Sequence, residues 1–232
     1  MDKAQIQHAL ARPAVAFTAG GFRPSGSDEE SWLGKVFLFR PEEELPLNPE
    51  GEPLLPLAQF HLPSLPMQHP ALEGVKVLTV FIDQYLPPEG LDDMGPRWLI
   101  REYREGDTLV RKDLPVARSF LKPFPLKADR VEADYPLWDG GGVPPDIEDA
   151  VLALENAGQL DSYYDLIEHC YLHKIGGYPS YCQSGVDMGD GFEFVFQISS
   201  DEKINLNVVD SGSLMFWKHR ETGEWAVYYD FY

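Results

Sequence analysis

The sequence predicts an α+β fold in which short antiparallel strands outnumber helices. Seven segments are short, rich in β-branched and aromatic residues, and flanked by turn residues, as half-buried strands are. Helical periodicity is confined to three places. Hydrophobic residues make up 44% of the 232 residues and aromatic residues 12%, which suffices for one core and excludes a disordered acidic chain. We expect a single domain covering residues 1–232.

The elements follow in order along the chain. A short amphipathic helix is predicted at residues 1–12, where Ile6, Ala9 and Leu10 have helical spacing. The predicted strands are residues 36–39, 75–82, 98–103, 192–198, 204–209, 214–217 and 225–232. Residues 120–126 contain two prolines, so we expect an edge or a loop there. Two more helices are predicted between the strand-rich parts, at residues 147–158 and 161–173.

The two strand-rich parts repeat similar anchors. Residues 33–36 are similar to residues 175–178, and in each part a strand glutamine precedes a glycine by 15 residues. We therefore predict an internal duplication. Its parts are a first β-rich half at residues 13–127, an acidic linker with two helices at 128–173, and a second β-rich half at 174–232. The structural anchors are Gly34, Gln59, Gly74, Gly176, Gly177, Gln197 and Gly212.

A recognisable pattern extends over these anchors. Its steps are Gly34, Leu45-Pro46, Gly51-Glu52-Pro53 and Leu57-Ala58-Gln59-Phe60 in the first part, and residues 173–183, 194–198 and 210–217 in the second. On these motifs the chain resembles the YwqG-like family, a group of bacterial proteins of unknown function. It departs from the family at Lys35, where a second glycine is usual, at Leu45, which replaces a tryptophan, and at residues 207–209, where Trp-Gly is frequent.

The resemblance implies a fold and limits the function. It implies one α+β domain with two related halves of twisted, mostly antiparallel sheet. It implies no established enzymatic activity, and several relatives are probable immunity proteins beside secreted toxin systems.

Composition excludes several classes of partner. With 19 basic and 38 acidic residues the net charge is −19 and the isoelectric point about 4.5. Nucleic acid and anionic lipid both attract basic surfaces, so we expect neither. No segment approaches the roughly 20 apolar residues of a membrane span, and the N-terminus does not have the pattern of a signal peptide. Two cysteines give no disulfide framework, so we expect reduced thiols and a cytoplasmic protein.

Few residues offer catalytic or metal-binding chemistry. The densest candidates are His169, Cys170, His173 and Cys182, of which Cys170 and His173 would share a face of the predicted helix. A Cys–His nucleophile pair there lacks an evident third group. Residues 139–142 lack the Lys and Ser or Thr of a phosphate loop, and residues 187–191 lack the ligand series of a calcium loop. We expect no catalytic residue, metal or cofactor, and hydrolase chemistry at Cys170 and His173 is the weakest alternative.

The negative charge is concentrated in one region. Residues 128–232 hold 5 basic and 20 acidic residues, and residues 131–173 contain ten acidic residues without a Lys or Arg. On the predicted second helix, Asp161, Asp165 and Glu168 would lie on one face. The candidate partner-binding residues are Asp146, Glu148, Asp149, Glu155, Asp161, Tyr164, Asp165 and Glu168, with Tyr163 and Tyr171 as neighbouring aromatic residues.

These observations favour an interaction module that binds a basic protein, such as a nuclease-like secreted toxin domain, in the manner of an immunity protein. One alternative is that the acidic face only solubilises the protein. Another is a small-ligand module with a cleft between the two halves, where Gln59 and Gln197 would face each other.

Overall fold

Antiparallel strands make up most of the molecule. The computed structural model describes residues 1–85 and 91–232. Its helices are α1 (Lys3–Leu10) and α2 (Pro145–Asn156). Its strands are β1 (Arg12–Ala19), β2 (Trp32–Leu33), β3 (Leu38–Phe39), β4 (Leu55–His61), β5 (Val75–Ile82), β6 (Leu91–Asp93), β7 (Trp98–Arg104), β8 (Val110–Arg111), β9 (Phe124–Asp134), β10 (His173–Gly176), β11 (Phe192–Ser199), β12 (Ser213–His219) and β13 (Trp225–Asp230).

One large sheet contains eleven of the strands in the described part of the chain. Their order is β6-β13-β12-β11-β10-β1-β9-β2-β4-β5-β7, and β3 pairs with β8 in a separate ribbon. The two ends of the sheet lie close together, so that it nearly closes: Glu102 in β7, at one edge, contacts β12 and β13, near the other edge. Its carboxylate accepts from Nζ of Lys218 at 2.5 Å and from Nε1 of Trp225 at 3.0 Å. The expected α+β class with mostly antiparallel sheet is therefore confirmed.

The main core draws on strands from every part of this sheet. Phe196 in β11 stacks on Phe216 at 4.3 Å between ring centroids and meets Phe60 edge-on at 5.8 Å. Both Phe196 and Phe60 are buried. Because large aromatic side chains bury the most apolar area, contacts of this kind stabilise the sheet as one unit.

The centre of the sheet is formed by β1 and β9. β1 pairs with β9 on one side and with β10 on the other. The expected edge or loop at residues 120–126 is wrong for its last part, since Pro125 lies in β9 opposite Trp32. The Pro125 carbonyl accepts a hydrogen bond from the Gly20 N–H at 2.7 Å. The proline has no backbone N–H to donate, but its carbonyl still takes part in the pairing. The expected boundary after residue 127 lies inside β9.

The two glutamine anchors occupy matching positions in the sheet. Gln59 in β4 pairs with Trp32 in β2, and Gln197 in β11 pairs with Lys174 in β10. In both strands the register shifts two residues before the glutamine, at residue 57 in β4 and residue 195 in β11. Each glutamine Oε1 accepts from the backbone that follows the neighbouring short strand, at Leu38 in one case and at Ser180 in the other, both at 3.0 Å.

The glycine anchors are less alike. Gly74 has a φ of +74°, which a glycine adopts without strain. Gly212 lies outside that region of φ, and a Cβ there would come within 1.8 Å of the Asp230 carbonyl oxygen. The first glycine is needed for a turn and the second for a close backbone approach. Equal spacing from the two glutamines therefore does not reflect equal roles.

A small helical unit packs on one end of the sheet. Ile6 and Leu10 of α1 meet Ile147 and Val151 of α2 in a separate apolar cluster. The helices expected at residues 1–12 and 147–158 are confirmed by α1 and α2.

The helix expected at residues 161–173 is wrong: the chain forms only a 3-10 turn at Tyr163–Asp165. The backbone after this turn bonds to buried side chains instead of to itself. The Cys170 N–H donates to Asp134 Oδ1 at 2.7 Å, and the Leu172 carbonyl accepts from Gln197 Nε2 at 3.0 Å. A helix here would break both contacts, so the neighbouring strands determine the conformation.

The strand expected at residues 204–209 is also wrong, because these residues form turns, an irregular stretch and a single isolated bridge from Leu206 to Asp201. Asn205 and Val209 have φ values of +58° and +54°, which strands do not adopt. The alternation that suggested a strand is nevertheless real, because Ile204, Leu206 and Val208 are buried. Predicted strands at residues 75–82, 98–103, 192–198 and 214–217 are confirmed within two residues at each end.

Candidate functional site

The candidate partner-binding residues lie on α2 and on the 3-10 turn packed against it. Leu160, Tyr163 and Leu166 attach this turn to the apolar face of α2. Glu148 and Glu155 are half-buried, and the remaining candidates are exposed. Together with Asp139 they form what we call the acidic surface: Asp139, Asp146, Glu148, Asp149, Glu155, Asp161, Asp165 and Glu168.

Two of these carboxylates support the local backbone. Asp165 Oδ2 accepts from the Ser162 N–H at 3.0 Å in a capping box, and Glu155 Oε1 accepts from the Tyr163 N–H at 3.0 Å. For Asp146, Glu148, Asp149, Asp161 and Glu168 no side-chain hydrogen bond is found within the described residues. The acidic surface therefore combines two structural acids with several that are free to meet a partner.

No ion pair in the described ranges neutralises the acidic surface. The five basic residues of the second half are used elsewhere: Arg130 with Glu132, Lys174 with Asp134, Lys203 on the Ala19 carbonyl, Lys218 with Glu102, and Arg220 with Glu193. The like charges are left with solvent and with each other, at a cost of a few tenths of a kcal/mol per close pair.

In the described part of the first half, no basic residue forms an ion pair with the acidic surface either. Arg97 pairs with Asp83 at 2.7 Å, and Arg40 pairs with Asp107 at 3.1 Å. Arg111 pairs with Asp28 at 3.0 Å. Part of the positive charge of the first half is thus paired with carboxylates of the same half, and no ion pair within the described residues offsets the negative charge of the acidic surface.

A pocket of about 390 Å³ opens beside the acidic surface. We call it the tyrosine pocket; its lining is Leu137, Asp139, Tyr164, Tyr171, Tyr181, Cys182, Gln183 and Ser184. Tyr164 is 51% exposed and Tyr171 is 53% exposed. Tyr163, expected as a third surface aromatic, is instead buried and donates its hydroxyl to the Pro136 carbonyl at 2.8 Å. Sequence analysis named Tyr171 but missed Tyr181, because nothing local links residue 181 to residue 164.

A buried polar network lies beneath this pocket. Both Asp134 and Lys174 are 0% exposed, and Nζ of Lys174 donates to Asp134 Oδ2 at 2.8 Å and to the Cys170 carbonyl at 2.5 Å. The Tyr178 N–H donates to the same carboxylate oxygen at 2.9 Å. Burial lowers the pKa of Lys174, against the opposing attraction of the Asp134 carboxylate. The pair thus anchors the irregular segment before β10 to β9.

His169 and Ser180 extend the network in a serine–histidine arrangement. Nδ1 of His169 lies 2.5 Å from the Tyr135 carbonyl, which can only accept, so Nδ1 carries the proton. Nε2 then accepts from the Ser180 hydroxyl at 2.7 Å. Burial, with the nearby Lys174 ammonium, lowers the pKa of His169 to about 4, so the ring is neutral at physiological pH.

This arrangement has the spacing of a nucleophile and its base but not the access. Ser180 is 3% exposed and His169 is 8% exposed. Neither residue lines the tyrosine pocket or the larger cleft described below. Gln197 occupies the remaining side of Ser180, donating Nε2 to its Oγ at 2.8 Å. The hydroxyl is therefore fully engaged by the protein itself.

Cys170 and His173 do not have the relative placement expected from a helix. Cys170 lies in an irregular segment, so it shares no helical face with His173, which begins β10. Nε2 of His173 lies 3.2 Å from Asp201 Oδ2, and its Nδ1 accepts from the Ser199 N–H at 3.1 Å. Burial raises the pKa of both thiols, Cys170 and Cys182, and both are free. Across the residues that the structure describes, no three His, Cys, Asp or Glu side chains are placed to hold a metal.

A cleft larger than the tyrosine pocket, with a volume of about 950 Å³, lies mainly in the second half. Its walls include Tyr178, Tyr181, Phe194 and Trp217, and residues 67–70 contribute one side from the first half. The Arg12 guanidinium stacks over the Tyr178 ring at 4.2 Å. This size falls within the roughly 300–1,000 Å³ of small-molecule sites.

The glutamine anchors do not line this cleft. Gln59 and Gln197 are each 0% exposed and bond to their own half, so they do not face each other across an open site. Of the glycine anchors, only Gly176 and Gly177 line it. A Cβ at Gly177 would approach Asp134 Oδ2 to 2.2 Å, so that glycine is required by the polar network behind the cleft wall.

The sequence was compared with known families and proteins. No curated protein matches it. In the described part of the chain, no helix has the length and apolar character needed to cross a membrane. Residues 31–222 match a family described as a domain of unknown function, DUF1963. The match covers well over half of the chain, including the acidic surface, the tyrosine pocket and nearly all of the cleft lining. The chain therefore belongs to the DUF1963 family.

Proposed function

We propose that this protein is a non-enzymatic interaction module that binds a basic protein partner through the acidic surface and the tyrosine pocket. One observation carries the proposal. Within the described residues no Lys or Arg forms an ion pair with the acidic surface, although most Lys and Arg side chains are paired with carboxylates elsewhere. Opposite charges at a binding surface accelerate encounter and select a partner of the right sign.

The tyrosine pocket supports a specific mode of contact. Tyr164 and Tyr171 expose aromatic rings, and Asp139 adds a carboxylate to the same pocket. An Arg or Lys side chain of the partner would enter between the rings and place its charge near Asp139. Cation–π contact and charge pairing act together in such a pocket, and aromatic anchors are where interfaces gain most of their energy.

We further propose several finer assignments. The matching glutamine positions and matching register shifts of β4 and β11 support an internal duplication of the two β-rich halves. The family match is compatible with a YwqG-like protein. We propose that the protein is a cytoplasmic, immunity-type inhibitor, and that its partner is a basic, nuclease-like secreted toxin domain, which suits an acidic surface. A small-ligand site in the cleft is the second candidate function, favoured by the volume of the cleft.

Charge reversal tests the main proposal. Asp146, Asp161 and Glu168 make no side-chain hydrogen bond within the described residues. The triple variant Asp146→Lys, Asp161→Lys, Glu168→Lys therefore reverses charge on the acidic surface and leaves the hydrogen bonds to Asp165 and Glu155 in place. The matched control reverses Glu52, Glu202 and Glu221, which are exposed and lie outside the acidic surface. Each triple variant changes the net charge equally.

The readout is the set of proteins captured from the native cell lysate at several salt concentrations. We expect the acidic-surface variant to lose basic partners that the control variant and the wild type retain, with capture weakening as salt rises. The proposal is overturned if both triple variants capture the same proteins as the wild type, or if the proteins lost are acidic.

A further inference from the structure

In the first half, the outer edge of the short strand β3 is covered by another strand, β8. β8 pairs with it, placing Arg111 opposite Leu38 and Val110 opposite Phe39. The Lys112 N–H donates to the Phe37 carbonyl at 2.9 Å. Thus one side of residues 37–39 is bonded to an extended segment of the same chain.

Residues 179–181 are the counterpart of residues 37–39 in the second half. Leu38 donates its N–H to Gln59, and Ser180 donates its N–H to Gln197, both at 3.0 Å. The two glutamines hold matching positions in β4 and β11, as described above. Ser180 therefore corresponds to Leu38, Pro179 to Phe37, and Tyr181 to Phe39.

Within the described residues, no strand pairs with the outer side of residues 179–181. No backbone hydrogen bond from the described residues reaches the Pro179 carbonyl, the Tyr181 N–H or the Tyr181 carbonyl. These are the groups whose counterparts face β8. Tyr181 is only 4% exposed, and unpaired backbone groups at a buried residue are costly. The N–H and carbonyl groups of this edge are therefore available to hydrogen-bond with an added strand.

The cleft is the space that a covering strand would fill. Pro179 and Tyr181 both line it, as does Trp217. By the register of β12, Trp217 corresponds to Phe81 in β5. Phe81 is 0% exposed and packs in a cluster that includes Leu114, just after β8, whereas Trp217 is partly exposed. The indole Nε1 of Trp217 is buried without a hydrogen-bond partner.

We propose that residues 179–181 and the cleft accept an extended basic segment of the partner as an added antiparallel strand, in the way that β3 accepts β8. Strand addition of this kind gains affinity from main-chain hydrogen bonds and specificity from side-chain pockets. That the segment belongs to a basic partner rests on the proposed function; that the edge accepts a strand does not.

The chemistry of the accepted segment follows from β8 and from the cleft. Leu109 and Leu114 flank β8 and pack into the apolar clusters of the first half. Arg111 stacks over Phe37 at 4.1 Å. The cleft has apolar walls and four charged side chains, Arg12, Asp187, Glu193 and Arg220, of which Arg220 and Glu193 are paired with each other. Asp187 is not ion-paired within the described ranges, and Asp139 adds a carboxylate in the neighbouring tyrosine pocket. We therefore expect an extended peptide with apolar residues around a basic centre.

A peptide copied from this chain is the first probe. It has the sequence of residues 108–116, which includes Val110, Arg111 and Lys112. N-methylation at Val110 or at Lys112 removes an N–H that would face the edge. N-methylation at Arg111, whose N–H faces away, is the matched control. Affinity is measured by titration calorimetry with the full chain, and exchange of the Tyr181 amide proton is followed by NMR.

We expect the parent peptide and its Arg111-methylated form to bind alike and to slow exchange of the Tyr181 amide at least about tenfold. Methylation at Val110 or Lys112 weakens binding by about tenfold, the loss of one main-chain hydrogen bond in a dry site. Absence of binding, equal effects of all three methylations, or an unchanged Tyr181 amide overturns the inference.

The same variants separate this inference from the proposed function. If methylation is without effect while charge reversal still abolishes partner capture, the acidic surface binds its partner by another mode, and the strand-accepting edge is rejected. If the methylation pattern is found but charge reversal leaves capture unchanged, the edge is retained and the proposed function is rejected.

Discussion

Protonation of the buried His169 is expected to limit the stability of this protein in acid. Nε2 accepts from Ser180, and a proton there would face the Lys174 ammonium at 3.4 Å. The pKa of His169 is accordingly lowered from 6.5 to about 4 by burial and by Lys174. The unfolded chain binds the extra proton between these two values and the folded chain does not, so stability falls as pH falls through this window.

The size of the effect follows from the two pKa values. Their difference corresponds to about 3 kcal/mol, present in full above about pH 6.5 and lost by about pH 4. Between about pH 7.5 and pH 5, where most carboxylates stay ionised, linkage predicts a loss of about 2 kcal/mol from this residue.

The variant His169→Asn isolates this contribution. Its amide still donates toward the Tyr135 carbonyl, but it has no titrating group. We expect the variant to be less stable than the wild type near neutral pH, and the gap to shrink by about 2 kcal/mol as pH falls to about 5. Urea denaturation at closely spaced pH values measures the gap, and His8→Asn on the surface serves as control. A gap that stays constant with pH would refute the reasoning.

Two further predictions concern matched pairs of positions, both measured as free energies of unfolding in urea. Gln197→Met should cost about 1–2 kcal/mol more than Gln59→Met, because Nε2 of Gln197 bonds to protein acceptors whereas Nε2 of Gln59 has none. Equal costs would contradict this account. Gly177→Ala should cost at least about 3 kcal/mol and Gly141→Ala about 1 kcal/mol. Both glycines have a φ near +70°, but only the alanine at position 177 meets a neighbour, Asp134, at 2.2 Å.

Local sequence patterns were sufficient to predict many of the strands in the sheet. Residues 75–82 and 192–198 alternate in sequence, and both are strands. The expectation that they are half-buried is wrong, because all but one residue of the first strand and residues 194–198 of the second are buried. The two glutamines could also be located, because a polar residue amid strand hydrophobics must satisfy backbone groups nearby. The spacing to Gly74 and Gly212 was less informative, since a turn and a close contact both require glycine.

The errors arose where distant residues determine the backbone. Residues 161–173 have helical spacing, yet Asp134 and Gln197 hold the later part of this segment extended. Both side chains come from strands remote in sequence, so no local pattern contains them. The tyrosine pocket and the cleft could not be predicted from the sequence for the same reason. Their walls meet only after β1 has paired with β9 and β10, and β10 with β11.

One difference between the halves accounts for both the charge imbalance and the open edge. In the first half, residues 105–123 supply β8 for the edge of β3 and also Arg111 and Lys112 for the local carboxylates. No segment of the described second half pairs with residues 179–181 or forms an ion pair with the acidic surface. Under the proposed duplication, the lack of one extended, basic segment leaves this edge unpaired and the acidic surface unneutralised. A partner that supplies a strand of this composition would correct both at once, and for this reason the charge-reversal and N-methylation experiments belong together.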